Sequence, residues 1–356
     1  NIQAAIDASS NDYDIVMVAD GTYTGARNRG LDFSGKRIMV MSEHGRQNCI
    51  IDCQNECSGF VFENQATTRA SVVDGVSIVN GSGLANSSLD GGGILLNGDP
   101  AEQSPTIQNC LILACIGQFG GGIATINNWN NSPAVINCVI VSNTATWTGE
   151  EPGGGGMIIY GSSAVIHNCT IAENANCGIA AYDCPASIKN CILWANSSAQ
   201  LTGSASSVEY CNIQGGWATG TGIITNDPLF AANWRLSPQS PCIDAGASNS
   251  VVSDWEGDLR WDDPDHTNAV SIWDIGADES MDTDGDGLVD WRETGTGIYV
   301  DANNTGTSPT ISDSDSDGIL DGVEVSNRTD PNINDTNAPT ITISSPTNNF
   351  NLIWVP

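Results

Sequence analysis

The sequence predicts an all-β chain built on a parallel β-helix, and three observations carry that prediction. A short motif recurs five times around a cysteine, and its copies lie 20 to 31 residues apart. Its internal spacing contains a step that a straight strand does not make. Its apolar positions are mostly β-branched and show no helical period.

Take the cysteines Cys110, Cys138, Cys169, Cys191 and Cys211 as the origin. Three residues earlier stand Ile107, Val135, Ile166, Ile188 and Val208, and two later stand Ile112, Ile140, Ile171, Leu193 and Ile213. Inward residues of a strand are two apart, so a step of three requires a bend before the cysteine. That position is Asn109, Asn137, Asn168 and Asn190, with Tyr210 as the exception and Gly75 in a degenerate earlier copy, Val73–Ile78. Asn and Gly enter the left-handed backbone region at low cost. Five residues after the cysteine stand Cys115, Asn143, Asn174, Asn196 and Gly216, read as a second Asn or Gly turn. Cys169 to Cys191 is 22 positions and Cys191 to Cys211 is 20, while 28 and 31 separate the earlier cysteines, whose rungs carry longer loops. Rungs stacked about 4.8 Å apart would place the five thiols in one interior column.

Ahead of the repeats, Ile2, Ala5 and Ile6 fit a short helix that plugs the open first rung, where core and strand edge would otherwise be exposed. Ile15–Ala19, Ile38–Met41 and Cys49–Ile51 are the first strands. Gly91–Gly93, Gly120–Gly122 and Gly153–Gly156 recur once per rung. No lysine or helix start follows them, as a phosphate-binding loop needs, so they are read as close-contact starts of a third strand. Polar loops lie between, at 82–90, 127–132 and 144–152, and Trp129 and Trp147 in them either stack on sugar or pack on the solenoid wall.

From Asn226 the rhythm changes to Asp227-Pro228-Leu229-Phe230, Trp234-Arg235-Leu236-Ser237-Pro238, Pro241–Gly246 and Asp274–Glu279. With the opening Ile2–Ile6 and Val18–Tyr23, this set resembles bacterial secreted right-handed β-helix proteins of the pectate-lyase-like superfold, over about residues 1–280. The resemblance implies a right-handed coil and an extracellular or cell-surface location. It implies no particular activity, because that fold hosts unrelated functions.

The strongest chemical signal follows. Asp282, Asp284, Asp286, Leu288, Asp290 and Glu293 occupy positions 1, 3, 5, 7, 9 and 12 of a loop with Gly287 at position 6. Asp313, Asp315, Asp317, Ile319, Asp321 and Glu324 repeat the pattern around Gly318. Carboxylates at this spacing, with a backbone carbonyl from position 7, wrap one hard cation, so both loops are read as Ca2+ sites. Pro309 to Pro331 and Asp313 to Asp335 share a register of 22 residues, which resembles bacterial thrombospondin type 3 repeats over about 281–336. Asp301, Asp330 and Asp335 are further candidates there. Residues 281–335 hold 13 acids against Arg292 and Arg328, a net of 2 − 13 = −11, so this segment is expected to extend without metal and stiffen with it. The last stretch, 337–356, alternates as a strand at Thr340–Ile343 and is apolar at Phe350–Val355. It resembles the start of an immunoglobulin-like domain. A lone strand is unstable in water, so the chain continues or the tail pairs with another copy by strand addition, a contact that can build an open filament.

Composition bounds the partners. Forty-two acids against 11 bases leave −31, a poor surface for nucleic acid or anionic membrane. No apolar run is long enough to span a bilayer. Twelve cysteines lie mostly in repeat register, which favours buried thiols, with Cys53–Cys57, Cys177–Cys184 and Cys211–Cys242 as the pairs to test as disulfides. A lyase for uronates needs a basic proton acceptor, yet Lys189 is the only Lys or Arg between Ser71 and Thr225. A hydrolase needs two acids facing across a groove, and only Glu150 and Glu151 beside Trp147 come near that. The favoured reading is a non-enzymatic extracellular structural or adhesive protein, calcium-stabilised and self-associating through its tail. The alternatives are a polysaccharide lyase or hydrolase, or a carbohydrate-binding protein on the same scaffold.

Overall fold

The computed structural model describes the chain except residues 10–12, 64–65, 85–90, 99–102, 127–130, 148, 206, 238, 259, 261–267, 280–283, 285, 289, 303 and 335–356, and the side chain of Trp291. The chain divides into two compact units, Asn1–Ser280 and Met281–Pro356.

In the first unit the repeat becomes three stacked parallel sheets. The first has eight strands, from Ile15–Val18 through Val165–His167 to Ser207–Glu209, and the second has eight, from Gly21–Tyr23 through Thr170–Ala172 to Asn212–Ile213. The third has six, from Phe60–Phe62 through Gly154–Tyr160 to Leu201–Gly203. Register aligns like with like. Val16, Val40, Val73, Ile107, Val135, Ile166, Ile188 and Val208 form one buried column. Ile51, Ile78, Ile112, Ile140, Ile171, Leu193 and Ile213 form a second. Apolar burial along such columns is the main stabilising term.

The first corner is as the spacing predicts. Asn109, Asn137, Asn168 and Asn190 have φ of 50–55°, and Gly75 has 62°. Tyr210 takes the same conformation, at 51°, because its position in the column demands it. The five thiols that follow are fully buried in one column, each Sγ approaching a carbonyl of the preceding rung, as Cys191 does to Ile166 at 3.4 Å.

The second corner differs from expectation. The left-handed residue is one earlier at Ala114, Ser142, Glu173 and Ala195, and in the last rung both Gly215 and the expected Gly216 adopt it. The Asn positions point inward instead and form a ladder. Asn143 Nδ2 donates to Ile112 O at 3.0 Å and to Asn174 Oδ1 at 3.1 Å, and Asn143 N donates to the same Oδ1 at 2.9 Å. Asn174 repeats these bonds to Ile140 O and Asn196 Oδ1. Cys115 N opens the ladder on Asn143 Oδ1, and Gln200 Oε1 closes it on Asn196. Each rung thus satisfies the buried amide of the one before it.

The glycine tracts sit beside this ladder. A β-carbon at Gly121 would lie 2.3 Å from Gly155 O, and one at Gly122 would lie 2.7 Å from Ile140 Cγ2. Close approach of successive rungs, not ligand binding, accounts for them.

The helix Ile2–Ala8 caps the first rung. Ile2 and Ile6 are buried while Ala5 is exposed, and Lys36 Nζ donates to Ile6 O, Asp7 O and Ser9 O. At the far end Trp217 and Ile223 pack on the core. The segment from Asn226 then runs back along the outside of the second sheet, where Trp255 and Ala277 cover Val139, Val141 and Ala172. The corner asparagines anchor it. Asn137 Nδ2 donates to Ser253 O at 2.8 Å, Asn190 Nδ2 to Ala247 O at 2.7 Å, and Asn168 Oδ1 accepts from Asn249 Nδ2 at 3.0 Å. Arg46 stacks on Trp255 at 3.2 Å from the ring centroid and pairs with Glu256, which also pairs with Arg235. Arg260 pairs with Glu279.

All twelve cysteines are free, which corrects the proposed bridges. Cys177 and Cys184 bracket the extended strand Cys177–Tyr182, which holds their backbones roughly 20 Å apart. Cys211 stands in the thiol column, and Cys242 lies against Asn212 Nδ2. Cys53 is buried, while the Cys57 thiol donates to Ser58 O. Among the described residues no helix is long and apolar enough to cross a membrane.

Two predictions follow from this packing. Asn174→Ala strands the Ile140 carbonyl and the Asn143 amide, and is expected to cost about 2–6 kcal/mol in denaturant unfolding, at about 1–3 kcal/mol per buried group. Burial pushes Asp254 up to about 6 and Glu279 up to about 7, even beside Arg260. Their folded values exceed the unfolded ones near 4, so the stability they contribute is full below about pH 4 and lost as pH rises past 6 to 7. Hydrogen exchange of 247–260, corrected for its intrinsic pH dependence, should show firmer protection at pH 5 than at pH 8.

Candidate functional site

Two places gather chemistry. In the second unit, Asp284, Asp286 and Glu293 bring carboxylate oxygens within 4.8 Å of one another, and so do Asp313, Asp315 and Asp317. The turns that do this are set by sequence. Gly287 and Gly318, at position 6 of each loop, both adopt φ 93°. Asx contacts tighten the loops: Asp286 Oδ1 accepts from Leu288 N at 2.7 Å, and Asp317 Oδ1 from Ile319 N at 2.8 Å. Asp290 begins a short 3₁₀ turn, Asp290–Arg292, and Asp321 and Glu324 lie in the first turn of the helix Asp321–Asn327, both buried. Asp282 lies outside the described residues, as do Asp335 and the strand tail 337–356. Asp301 is exposed, and Asp330 takes up Asn332 N, so neither joins a cluster.

The fit to a cation is tested by what the carboxylates lack. Glu293 is 4% exposed; its Oε1 accepts from Thr307 Oγ1, but its Oε2 is buried with no hydrogen-bond partner. Asp315 Oδ2, Asp317 Oδ2 and Asp321 Oδ2 are in the same condition. Burial, then Asp284 and Asp286, push the Glu293 carboxyl up to about 9. Burial likewise raises Asp315 and Asp321. Such groups seek a proton or a cation, and an all-oxygen set suits a hard divalent ion.

Sequence reasoning missed the supports. Thr305 and Thr307 are buried and bonded to each other at 2.7 Å, which links Glu293 to the Arg292 carbonyl. Gly322 N donates to Asp286 Oδ2 at 3.3 Å, joining the second repeat to the first. The threonine alternation was visible, but its partner was not.

The other place is the outer face of the third sheet. Inward residues alternate with Ala124, Ile126, Ile158, Tyr160, Ala180 and Tyr182, which point out. Tyr160 and Tyr182 are direct neighbours across the ladder, as are Ile158 and Ala180. Above them the 146–153 loop places Trp147 against Phe119, with ring centroids 5.3 Å apart. Phe119, Trp147, Ile158, Tyr160 and Tyr182, with Glu150 and Glu151, line a cleft of about 360 Å³. Burial pushes the Tyr182 phenol up to about 12. The sequence reading named Trp147, Glu150 and Glu151 but missed Phe119, Tyr160 and Tyr182. One signal was available, since Tyr160 and Tyr182 each fall four residues after a rung glycine, Gly156 and Gly178. Trp129 lies outside the described residues.

A third acidic group, Asp254, Glu256 and Asp278, also converges. Arg46 and Arg235 already neutralise Glu256, and Asp254 accepts the amides of Glu256, Gly257, Asp258 and Glu279, so this is an ion-pair network that holds the closing segment. Lys189 donates to Ser248 O and is likewise committed to that segment.

Residues 58–234 match the family model described as "Right handed beta helix region". Together with the stacked parallel sheets, this makes the solenoid a right-handed parallel β-helix. Among solved structures the chain is similar to "Crystal structure of pectate lyase Pel9A", at 14% identity and a TM-score of 0.32, over 78% of this chain and 90% of that one, a similarity too distant to bear on activity. No curated protein sequence matches.

The inter-repeat contact is open to test. A β-carbon at Gly322 would lie 2.2 Å from Asp286 O, so Gly322→Ala is expected to cost about 1–3 kcal/mol of overpacking. Faster proteolysis within 281–335 than in the parent chain would register it.

Proposed function

We propose that the chain is a non-enzymatic extracellular protein of structural or adhesive role, a rigid β-helix followed by a calcium-stiffened segment. One observation carries the cation part: buried carboxylate oxygens in both loops, Glu293 Oε2, Asp315 Oδ2, Asp317 Oδ2 and Asp321 Oδ2, have no hydrogen-bond partner. Asp284, Asp286 and Glu293 would hold one ion, and Asp313, Asp315, Asp317 and Asp321 another. Such an ion supplies charge neutralisation and order, not chemistry on a substrate. The non-enzymatic part is supported by Lys189 being committed to Ser248 O. It is supported too by Glu150 and Glu151, which are adjacent in one loop rather than fixed across a groove.

Carbohydrate binding is a second reading, favoured by the aromatic cleft, and it is compatible with an adhesive role. Self-association through 337–356 rests on the strand pattern of the sequence.

The test uses the full chain. With chelator, cleavage within 281–335 should accelerate strongly while 1–280 keeps its melting transition, and calcium should restore protection. Asp321→Asn should weaken calcium binding about tenfold or more, since it removes the full negative charge of a buried carboxylate. Unchanged proteolysis in chelator would defeat the calcium reading. Truncation after residue 336 should abolish self-association in sedimentation, and its persistence would defeat the strand-addition reading.

A further inference from the structure

We propose that the cleft on the outer face of the third sheet binds an amine-bearing saccharide. The inference is independent of the acidic loops and stands or falls without them.

The floor is set by register. Ala124 and Ala180, both buried, flank Ile158 in one row, and Ile158 is the member of that row that lines the cleft. Tyr160 and Tyr182 form the neighbouring row as two adjacent rings. The wall is prearranged. Trp147 N donates to Gln118 O at 2.9 Å, Asn176 Nδ2 donates to Trp147 O at 2.7 Å, and Tyr182 OH donates to Pro152 O at 3.1 Å. Gly149 lies on the indole so closely that a β-carbon there would meet Nε1 at 2.7 Å. Trp147 still leaves 41% of its surface in solvent. A tryptophan held this firmly and left this open loses little entropy when a flat ligand stacks on it.

The cleft volume, about 360 Å³, lies within the ~300–1,000 Å³ range of small-ligand sites. Its shape and chemistry select a class. Flat aromatic rings match the C–H face of a pyranose ring. Glu150 and Glu151 are exposed at the lip, and among the described residues no Lys or Arg lines the cleft. A uronate carboxylate would meet two like charges and a chain of net charge −31. An ammonium group on the sugar would meet two carboxylates in a cleft lined by aromatic rings, whose faces attract cations. Charge complementarity therefore points to an amino sugar, and against both a uronate and a neutral sugar as the preferred ligand.

The experiment is calorimetry on the full chain at pH 6, where the sugar amine is charged, with chelator present so that no cation bridges. The titrants are a glucosamine tetramer, its N-acetylated counterpart, a galacturonate tetramer and tetralysine. The glucosamine tetramer should bind about tenfold tighter than the acetylated one, with tetralysine weaker and galacturonate silent. Trp147→Ala should lose about tenfold or more. Glu150→Gln with Glu151→Gln should erase the preference for amine over acetamide while stacking remains. Melting curves matching the parent establish that both variants are folded. Equal affinity for amine and acetamide, binding of galacturonate, tetralysine as tight as the sugar, no binding at all, or a folded Trp147→Ala variant with unchanged affinity would each overturn the proposal.

Discussion

A solenoid corner buries backbone amides that no strand can pair, and the structure depends on how this chain answers them. At the second corner the amides of Cys115, Asn143 and Asn174 each find the side-chain oxygen of the asparagine one rung on. The central asparagine is used fully: Asn174 accepts twice at Oδ1 and donates twice from Nδ2. Such a column is cooperative, because losing one member strands groups on both neighbours. It also needs ends. Cys115 begins it without an amide side chain, and Gln200 reaches in from a loop to stand for the asparagine of a further rung. Stacking of apolar columns supplies the driving force, but this ladder fixes how far each rung turns.

How much of this was legible follows from which residues speak for themselves. Asparagine before cysteine announces a left-handed corner, because few other residues adopt one cheaply. Ala114, Ser142, Glu173 and Ala195 announce nothing. They adopt φ of 55–57° because the asparagine after them must face inward. The ladder thus moved the second corner one residue from where composition placed it. The same limit applies at the acidic loops. Carboxylate spacing and the position-6 glycine are local patterns, and three acids of each loop converge. Thr305, Thr307 and Gly322 act on those loops from 12 or more residues away, by contacts that only the fold creates.

Asparagine at the first corner does two jobs, and the sequence revealed one. Asn137, Asn168 and Asn190 turn the chain, and their amides then hold the segment that returns from the far end. That segment is held by charge kept from solvent: Arg46, Arg235 and Arg260 pair with Glu256 and Glu279. Removing Arg260 would leave the Glu279 carboxylate buried and unbalanced, and Arg46 and Arg235 share Glu256, so these cations are committed to structure.

The three walls of the solenoid therefore differ in what they show to solvent. The first sheet carries Met41, Asp74, Gln108, Ile136, His167, Lys189 and Glu209 along one outward row, a mostly polar surface. The second sheet is apolar outside, with Leu111, Val139, Val141 and Trp194, and the returning segment hides it. The third sheet is apolar outside as well, at Ile158, Tyr160 and Tyr182, and Trp147 and Phe119 flank a cleft there. A wall with an aromatic outer row and a rigid tryptophan at its lip is stabilised by whatever flat, apolar-faced group rests there. The acidic lip then decides the sign of that group's charge. The same pleat that drives Ile159 and Ala181 into the core turns Tyr160 and Tyr182 outward, so folding and recognition are read from alternate residues of the same strands.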